Sequence, residues 1–391
     1  MTDLKHTNDT QLFSDFDQHC MKRALTLSRR GLGKTSPNPM VGALIAREGR
    51  ILGEGWHRRY GGKHAESEAI GAVAAAGETA TGATLYCTLE PCCFTAPDKH
   101  QPPCAELVIK SGVRRVVIAS LDPHRRVNGA GAAMLRKAGI AVETGLFAAA
   151  EAEVNRAYRT FQRAGRPFVH LKIAQTLDGR IAAPKAALHE DIVSADQWIT
   201  DEAARKIVHR MRAEYDAVLV GKGTVLADDP ELTVRLVRGR NPLRVILGLG
   251  LPEEAKVLTL PDRKNTLVIC AAAAADGAAK LRGMGVDVIC LDADATERGL
   301  PLQPVLEALG AKGVRSVLVE GGSRIFSSFL REGLWDRITV FIAPIILGNG
   351  VGAVSGLGIN TIRDALRLTD VSFRRVGDQL LFEGNHVYRN C

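Results

Sequence analysis

The chain contains few aromatic residues and no long hydrophobic run. Aromatic residues make up 5% of its 391 residues, and they are not interleaved with Lys and Arg as on surfaces that stack nucleic-acid bases. The longest apolar run, around Val340 to Leu347, is interrupted by Pro344, whereas a membrane-spanning helix needs about 18 or more such residues. The first ten residues lack the basic-then-apolar order of a signal peptide. We therefore expect a cytoplasmic protein with no membrane partner and no nucleic-acid partner.

The charge is positive but scattered. The formal net charge is +8, and adjacent arginines occur only as isolated pairs, such as Arg29-Arg30 and Arg125-Arg126. Scattered positive charge favours phosphorylated small molecules over a nucleic-acid track. Hydrophobic residues at 46% and charged residues at 24% are typical of a globular protein. A chain of this length is expected to form two or three domains.

The cysteines do not form the pattern of a secreted disulfide protein. Four of the eight, Cys87, Cys92, Cys93 and Cys104, lie within eighteen residues. Such a local cluster in an intracellular chain predicts a metal site before a disulfide. The other four are Cys20, Cys270, Cys290 and Cys391. We expect these scattered cysteines to be buried or inert thiols.

Two regions of alternating strand and helix patterns follow one another along the chain. In the first, strands are predicted at residues 41–46, 84–89, 116–120 and 140–144, and helices at 16–27, 65–76, 105–111 and 130–138. In the second, strands are predicted at 168–174, 217–221, 243–248, 266–270, 286–291, 316–320 and 337–342, and helices at 201–212, 271–284, 302–309 and 323–332. Residues 148–164 predict one polar connecting helix that Gly165 ends. We therefore predict α/β domains at 1–147 and 167–391, joined by 148–166.

One group of residues in the first region has the composition of a catalytic zinc site. His64 stands before a predicted helix, Cys92 ends the run TLEPC, and Cys104 ends the run PPC. One imidazole and two thiolates can hold Zn²⁺ while leaving a fourth position open to water. Glu66, two residues after His64, can move a proton from water to a leaving amine without being a ligand. We expect Cys93 not to be a ligand.

Two simpler interpretations of these residues remain. The site could be a closed structural zinc site, or His64 could be a buried histidine beside unrelated cysteines. A structural site has no use for a carboxylate beside an open metal position, so Glu66 favours hydrolytic removal of an amine.

The second region has no Gly-x-Gly-x-x-Gly motif between a strand and a helix, which argues against a Rossmann domain. Instead the run EGGS, residues 320–323, follows a predicted strand and precedes a predicted helix. Glycines at that position let a phosphate approach the backbone N–H groups of a helix N-terminus. The alternative interpretation is an ordinary strand–helix turn.

Taken in order, the motifs resemble the bifunctional deaminase–reductase family of riboflavin biosynthesis. In the first region they are residues 36–42 (SPNPMVG), 55–57 (GWH), 64–66 (HAE), 88–92 (TLEPC), 102–104 (PPC) and 122–123 (DP). In the second they are residues 171–181 (LKIAQTLDGRI), 197–200 (QWIT), 223–230 (GTVLADDP), 232–235 (LTVR) and 319–323 (VEGGS). The resemblance implies an N-terminal cytidine-deaminase-like α/β/α sandwich and a C-terminal dihydrofolate-reductase-like α/β domain.

The same resemblance implies a role for individual residues. It assigns His64, Cys92 and Cys104 to zinc and Glu66 to proton transfer, and it places Asn38 in the pyrimidine pocket. The implied NADPH contacts are Ala174, Trp198, Thr224, Asp228, Gly322, Ser323, Arg324, Ile325, Phe326, Ser327 and Ser328. The implied substrate contacts are Arg212, Leu232, Arg235 and Glu320. Guanidinium groups suit a sugar phosphate.

Four of these assignments have a simpler alternative. Asn38 could be a turn residue between two prolines, and Trp198 could be a core residue. Arg212 could lie on a solvated helix face, and Arg235 could be a charge at a strand edge.

The implied reactions are a deamination followed by a reduction. The first removes the amine from the ring of 2,5-diamino-6-ribosylamino-4(3H)-pyrimidinone 5′-phosphate. The second passes a hydride from NADPH to C1′ of the ribosylamino product. We expect one zinc ion per chain, a phosphorylated pyrimidine substrate and a homo-oligomer, either a dimer or a tetramer. The alternatives are a nucleoside or RNA deaminase with an unrelated accessory domain, a binding module clipped by structural zinc, and a different pyridine-nucleotide oxidoreductase in the second region.

The sequence departs from the family pattern in three places. Eleven residues separate Cys92 from Cys104, a few more than the family has, and Lys99, His100 and Gln101 replace Gly-Arg-Thr. Residues 124–126 (HRR) stand where Asn-Pro is expected, and Asp196 replaces a hydroxyl residue. A longer loop costs little free energy, so we expect zinc binding to survive.

Overall fold

The computed structural model describes residues 13–95, 101–184, 198–292 and 299–387. The chain divides into two compact units, Met1–Gly165 (unit 1) and Arg166–Cys391 (unit 2). Among the described residues, no helix combines the length and the apolar character that crossing a membrane requires.

Unit 1 is built from five strands and six α-helices in its described residues. The strands are β1 (Gly42–Arg47), β2 (Arg50–Trp56), β3 (Thr84–Leu89), β4 (Arg115–Ser120) and β5 (Ala141–Thr144). The helices are α1 (Asp15–Ser28), α2 (Ala65–Ala75), α3 (Cys104–Lys110), α4 (Ala130–Lys137), α5 (Ala148–Val154) and α6 (Arg156–Ala164). The five strands form one sheet in the order β2-β1-β3-β4-β5, in which β3, β4 and β5 are parallel.

Helices cover both faces of this sheet. Ala43 and Ile45 point to one face of β1 and pack with residues of α2, α3 and α4. Leu44 and Ala46 point to the other face and pack with residues of α1. The two-residue period of the strand therefore places a separate apolar cluster on each side, which makes an α/β/α sandwich.

Two parts of unit 1 differ from the sequence prediction. Strand β2 was not predicted, because Gly53 and Gly55 interrupt its apolar pattern. A Cβ atom at Gly55 would lie 2.4 Å from the carbonyl oxygen of Ala65, so the missing side chain lets α2 pack directly on β2. The single helix predicted at 148–164 is two helices, α5 and α6, that meet at Asn155.

Unit 2 has eleven strands and six α-helices in its described residues. The strands are β6 (Phe168–Thr176), β7 (Arg180–Ala182), β8 (Ala217–Gly221), β9 (Leu243–Leu247), β10 (Thr266–Ala271), β11 (Asp287–Leu291), β12 (Ser316–Gly321), β13 (Arg337–Ala343), β14 (Val351–Gly352), β15 (Leu368–Val376) and β16 (Gln379–His386). The helices are α7 (Glu202–Glu214), α8 (Lys222–Asp228), α9 (Lys256–Thr259), α10 (Ala275–Gly283), α11 (Leu302–Ala311) and α12 (Ser323–Glu332).

Nine of these strands form one sheet, in the order β11-β10-β9-β8-β12-β6-β13-β16-β15. The first seven are parallel, while β16 is antiparallel to both β13 and β15. Leu219 of β8 packs on one face with residues of α11 and α12, and Val218 and Val220 pack on the other with Leu281 of α10. The carboxyl ends of the parallel strands meet at one edge of the sheet, where α/β proteins bind ligands.

A buried ion pair joins the start of unit 2 to its sheet. Asp336 Oδ2 accepts hydrogen bonds from Arg166 Nη1 (2.8 Å) and from the backbone N–H of Val169 (2.7 Å), and its Oδ1 accepts one from Arg166 Nη2 (3.1 Å). The exposed fraction of either side chain is below a tenth. The pair connects residues that are 170 positions apart in the chain.

We predict that Asp336→Asn lowers the free energy of unfolding of unit 2 by about 3 kcal/mol, because it leaves the Arg166 charge buried without its counter-ion. Calorimetric unfolding of the full chain measures this as a shift of the unit 2 transition, with the unit 1 transition as an internal reference. Glu202→Gln, which breaks an exposed pair with Lys206, should cause no measurable shift. Equal effects of the two variants would contradict the role given to the buried pair.

Candidate active sites

The three residues proposed as zinc ligands come together in unit 1. His64 is the extended residue directly before α2, Cys104 is the first residue of α3, and Cys92 lies shortly after the end of β3. One ligand atom from each lies within 4.8 Å of the other two. His64 Nδ1 is 3.2 Å from Cys104 Sγ and 3.6 Å from Cys92 Sγ.

These distances suit a tetrahedral zinc ion. Zn–N and Zn–S bonds of about 2.1 and 2.3 Å at tetrahedral angles place nitrogen and sulfur about 3.6 Å apart. The backbone N–H of Cys104 donates to Cys92 Sγ (3.4 Å), which stabilises negative charge on that sulfur. The donor set therefore fits zinc, and three ligands leave one position open.

Glu66 lies in the first turn of α2, two residues after His64. Its exposed fraction is 3%. Burial raises the pKa of Glu66 to about 6, and the neighbouring Cys92 shifts it in the same direction. A carboxyl group in such surroundings can both take up and release a proton near neutral pH.

One wall beside the ligands is built from Asn38 and His57. The His57 Nδ1–H donates to the Lys63 carbonyl (2.9 Å), which leaves Nε2 to accept from the Asn38 side-chain amide (3.3 Å). Burial lowers the pKa of His57, which keeps the ring neutral in this role. The ring of His57 also packs edge-on against His64, with centroids 5.4 Å apart.

Asn155 fixes the loop that carries Asn38, a role that the sequence analysis missed. Its side chain accepts a hydrogen bond from the Met40 N–H (2.7 Å) and donates one to the Met40 carbonyl (2.9 Å). The Asn155 amide therefore bonds both backbone groups of Met40, as a residue of a neighbouring strand would. An asparagine inside the single predicted connecting helix was the available signal, since asparagine favours helix ends over helix interiors.

Glu90, in the run TLEPC, binds the backbone of the loop at 121–129 and of the first turn of α4. Its carboxylate accepts hydrogen bonds from the backbone N–H groups of Asp122 (3.1 Å), Gly129 (2.9 Å) and Ala132 (2.9 Å). Gly131 has no side chain at the point where a Cβ would lie 2.1 Å from the Pro91 carbonyl oxygen. The motif residue therefore ties the segment before Cys92 to the loop at 121–129.

Part of the altered sequence between Cys92 and Cys104 supports the ligands. Gln101 accepts a hydrogen bond from the backbone N–H of His64 (3.2 Å) and donates to the Gly62 carbonyl (2.6 Å). Lys99, His100 and Asp196 lie outside the described residues. Cys93 Sγ lies 3.7 Å from the Arg126 carbonyl oxygen, not in the ligand set.

In unit 2, two of the proposed substrate residues contact each other. Arg212 of α7 donates from Nε to Glu320 Oε1 (2.5 Å) and from Nη2 to Oε2 (2.9 Å), and its Nη1 donates to the Thr233 carbonyl (3.0 Å). Lys172 of β6 approaches the same carboxylate at 3.5 Å. The sequence analysis missed Lys172, although a lysine inside a mostly apolar predicted strand was a signal.

The side chains of this cluster are largely shielded from water, with exposed fractions of 13% for Lys172, 12% for Arg212 and 6% for Glu320, and their charges affect one another. Burial opposes ionisation of Glu320, but Arg212 and Lys172 outweigh it and hold the pKa of Glu320 at about 2. Burial lowers the pKa of Lys172, and Glu320 opposes that shift. One carboxylate between two cations leaves net positive charge at the end of β12, which suits an anionic ligand.

The proposed phosphate loop lies beside this cluster. Gly322, with φ of 78°, is the residue before α12, and Thr224 of α8 packs against Gly321 so closely that a Cβ there would lie 2.8 Å from Thr224 Oγ1. Ser323 is half-buried and Arg324 is exposed, whereas the side chains of Phe326, Ser327 and Ser328 are buried. Only the start of the predicted segment can therefore reach a ligand with its side chains.

The remaining predicted residues of unit 2 are spread over its surface and core. Trp198 is 59% exposed, stacks with Arg205 and lines a cleft of about 550 Å³ together with Thr200 and Gln379. Asp228 is exposed at the end of α8, and Ala174 is half-buried on β6.

Leu232 and Arg235 follow α8 in the chain and differ in exposure. Leu232 is buried in the core and has φ of 55°, so it can offer a ligand only its backbone. Arg235 is exposed and pairs with Glu231 (2.7 Å).

We predict that Cys104→Ser removes most of the bound zinc, because a thiolate ligand is replaced by a neutral hydroxyl. Metal analysis of the purified full chain after dialysis measures it. The matched control is Cys93→Ser, which should keep one zinc per chain, since Cys93 lies outside the ligand set. Loss of zinc from the Cys93 variant, with retention by the Cys104 variant, would show that the ligand set is wrong.

Comparisons with known proteins cover nearly the whole chain. A family described as the cytidine and deoxycytidylate deaminase zinc-binding region matches residues 14–120, and one described as the RibD C-terminal domain matches residues 167–382. The riboflavin biosynthesis protein RibD of Aquifex aeolicus (strain VF5) is 40% identical, over 95% of this chain and 98% of its own length.

Two solved structures are also similar to nearly the whole chain. A diaminohydroxyphosphoribosylaminopyrimidine deaminase/5-amino-6-(5-phosphoribosylamino)uracil reductase from Thermotoga maritima is 35% identical, with a TM-score of 0.79 over 95% of this chain and 99% of its own. A RibD structure from Acinetobacter baumannii is 32% identical, with a TM-score of 0.83 over the same shares.

The expected fold class, bifunctional activity and cofactors are confirmed, and the alternative of a nucleoside or RNA deaminase is not favoured. A zinc-dependent, cytidine-deaminase-like domain precedes an NADPH-dependent, dihydrofolate-reductase-like domain. The chain belongs to the RibD family of bifunctional deaminase–reductases of riboflavin biosynthesis.

Proposed function

We propose that unit 1 deaminates 2,5-diamino-6-ribosylamino-4(3H)-pyrimidinone 5′-phosphate and that unit 2 reduces the ribosyl group of 5-amino-6-(5-phosphoribosylamino)uracil to ribityl. The observation that carries the first step is the cluster of His64, Cys92 and Cys104 with the buried Glu66 beside it. The name of the Thermotoga maritima protein supports the choice of substrates.

In the deamination, His64, Cys92 and Cys104 hold the zinc ion, which when bound activates water for attack on the amine-bearing carbon. Glu66 takes a proton from the water on a carboxyl oxygen and delivers it to the departing amine, which leaves as ammonia. Asn38, held by His57 and by the Asn155–Met40 contact, is placed to hydrogen-bond the pyrimidine. Burial of Glu66 keeps bulk water from exchanging this proton.

In the reduction, NADPH supplies a hydride to C1′ of the ribosylamino group. The N-terminus of α12, opened by Gly322, offers backbone N–H groups to a phosphate of the cofactor. Thr224, Asp228, Ala174 and Trp198 are proposed to complete the cofactor site. Arg212, Arg235, Leu232 and Glu320 are proposed to contact the substrate, and Lys172 positions the Glu320 carboxylate.

The boundaries of the two domains are assigned according to the proposed reactions. We assign residues 1–147 to the deaminase, 167–391 to the reductase and 148–166 to the connection, whose helices pack on unit 1. The RibD C-terminal match beginning at residue 167 supports the second boundary.

Beyond the substrates, we propose a cytoplasmic homo-oligomer, either a dimer or a tetramer. Strand β15 is an edge strand of the described sheet and exposes Val371 (47%) and Phe373 (71%), an apolar surface that a second copy would cover. Seven cysteines fall within the described residues, and none of these forms a disulfide, which suits a reducing compartment. Sedimentation of the full chain distinguishes a monomer from the proposed assemblies.

We predict that Glu66→Gln lowers the rate of deamination by about 10²-fold or more, because the amide cannot carry the proton. Mass spectrometry of the diamino substrate measures the exchange of its amine for oxygen, and zinc content should stay at one per chain. Glu68→Gln is the matched control, since Glu68 lies one half-turn further along α2 and pairs with Arg58 at 3.3 Å. Normal deamination by the Glu66 variant would overturn the assignment.

We predict that Glu320→Gln lowers kcat/KM of the NADPH-dependent reduction by about 10²-fold, because Arg212 and Lys172 lose the charge that positions them. Oxidation of NADPH that depends on the deaminated pyrimidine measures it. Deamination by the same full chain should be unchanged, which controls for folding of unit 1. An unchanged reduction would remove Glu320 from the proposed site.

A further inference from the structure

Two of the cysteines that the sequence analysis expected to be inert lie side by side in unit 2. Cys270 is in β10 and Cys290 is in β11, and the two are direct partners in the parallel register of these strands. Their Sγ atoms are 3.6 Å apart. They lie twenty positions apart in the chain, so no local motif indicated this contact.

The backbone already has the spacing that a disulfide needs. Paired residues on neighbouring strands lie roughly 4.8 Å apart, and the Cα atoms of a disulfide are usually separated by about 4.4–6.8 Å. Only the sulfur atoms must approach, from 3.6 Å to about 2.0 Å, which rotation about the Cα–Cβ bonds can supply. Closing the bond therefore requires no change in strand pairing.

The two thiols have different surroundings. Cys270 is buried, with 2% of its surface exposed, and burial raises the pKa of its thiol to about 11. Cys290 is half-buried in β11, the outermost strand of the described sheet on this side. Arg282 of α10 donates from Nη2 to Cys290 Sγ at 3.5 Å, so a cation lies against this sulfur and not against that of Cys270.

A metal site is a weaker interpretation of this pair. Among the described residues, the only group of three His, Cys, Asp or Glu side chains close enough to share a metal ion is His64, Cys92 and Cys104. Cys270 and Cys290 thus have each other and a cation beside them, but no third ligand. That combination is the one expected for a redox-active pair.

We propose that Cys270 and Cys290 form a reversible disulfide when the protein encounters a peroxide. The sulfur of Cys290 attacks one peroxide oxygen, the O–O bond breaks, hydroxide leaves, and Cys290 becomes a sulfenic acid. The sulfur of Cys270 then attacks the sulfenic sulfur, the S–O bond breaks, and the thiol proton leaves with the hydroxide as water. Two thiols and one hydrogen peroxide give one disulfide and two waters, and a thiol reductant reverses the change.

The disulfide would join the edge strand β11 to β10 and close the loop that contains α10. Cross-linking a loop of this length restrains the unfolded chain. We expect the unfolding temperature of unit 2 to rise by about 5 °C in the oxidised protein. The residues proposed for zinc binding and for deamination lie in unit 1, so deamination should not change with formation of this bond.

The test is a peptide map of the reduced full chain after treatment with hydrogen peroxide, alkylation of the remaining thiols and digestion with trypsin without reductant. Cleavage after Lys264, Lys280, Arg282 and Arg298 places Cys270 in the peptide 265–280 and Cys290 in the peptide 283–298, each with one cysteine. The proposal expects these two peptides to be linked and to separate after reduction. Full alkylation of both cysteines, or a link from either one to another cysteine, would overturn it.

Three variants separate the steps. In Cys270→Ser, Cys290 should accumulate as a sulfenic acid that dimedone traps, whereas in Cys290→Ser the Cys270 thiol should stay reduced. Arg282→Gln should form the link severalfold more slowly, and an unchanged rate would remove the guanidinium from the mechanism. Cys20→Ser, which removes a buried thiol from unit 1, should form the link normally.

Discussion

The deaminase site depends on the close approach of one helix to one strand. Gly53 and Gly55 give β2 a surface without side chains, and the first turns of α2 lie directly on it. This contact fixes the point at which α2 begins, and therefore the position of His64 and Glu66. Helix α3 packs into the same apolar cluster of the sheet as α2, which brings Cys104 to the same place. Two of the three proposed zinc ligands are thus placed by the packing of helices on a sheet, whereas Cys92 lies on the segment that follows β3.

The proposed reductase site depends instead on the pairing of opposite charges that are largely shielded from water. Glu320 lies near the end of a central strand, its side chain is only 6% exposed, and Arg212 and Lys172 keep its carboxylate ionised. These three residues come from β12, α7 and β6. Their contact holds the carboxyl end of β12 and the middle of the adjacent parallel strand β6 to a helix, next to the loop proposed for the cofactor phosphate. The same arrangement that stabilises this edge also gives it the charge that an anionic ligand requires.

Features that depend on neighbouring residues were predicted from the sequence, whereas contacts between residues far apart in the chain were not. Most strands and helices of both units were predicted within a few residues, because their apolar periods are local. The hairpin of β15 and β16 was not predicted, although the turn at Gly377-Asp378 was a usable signal. Strand β2 was not predicted, because its glycines interrupt the apolar pattern. The pairs Arg166–Asp336, Arg212–Glu320 and Cys270–Cys290 could not be predicted, because nothing near either member indicates its partner.

The sequence alone determined the chemistry of the first domain and the family of the whole chain. The proposed zinc ligands and Glu66 stand in short motifs whose spacing and residue types have few other uses, so their chemistry can be inferred from the sequence. The tertiary structure alone decided what surrounds them. It placed Asn155 against Met40 and Lys172 beside Glu320, and it brought Cys270 next to Cys290. The physical reason is that motifs are fixed by local backbone geometry, whereas burial and long-range partners exist only after the sheets have assembled.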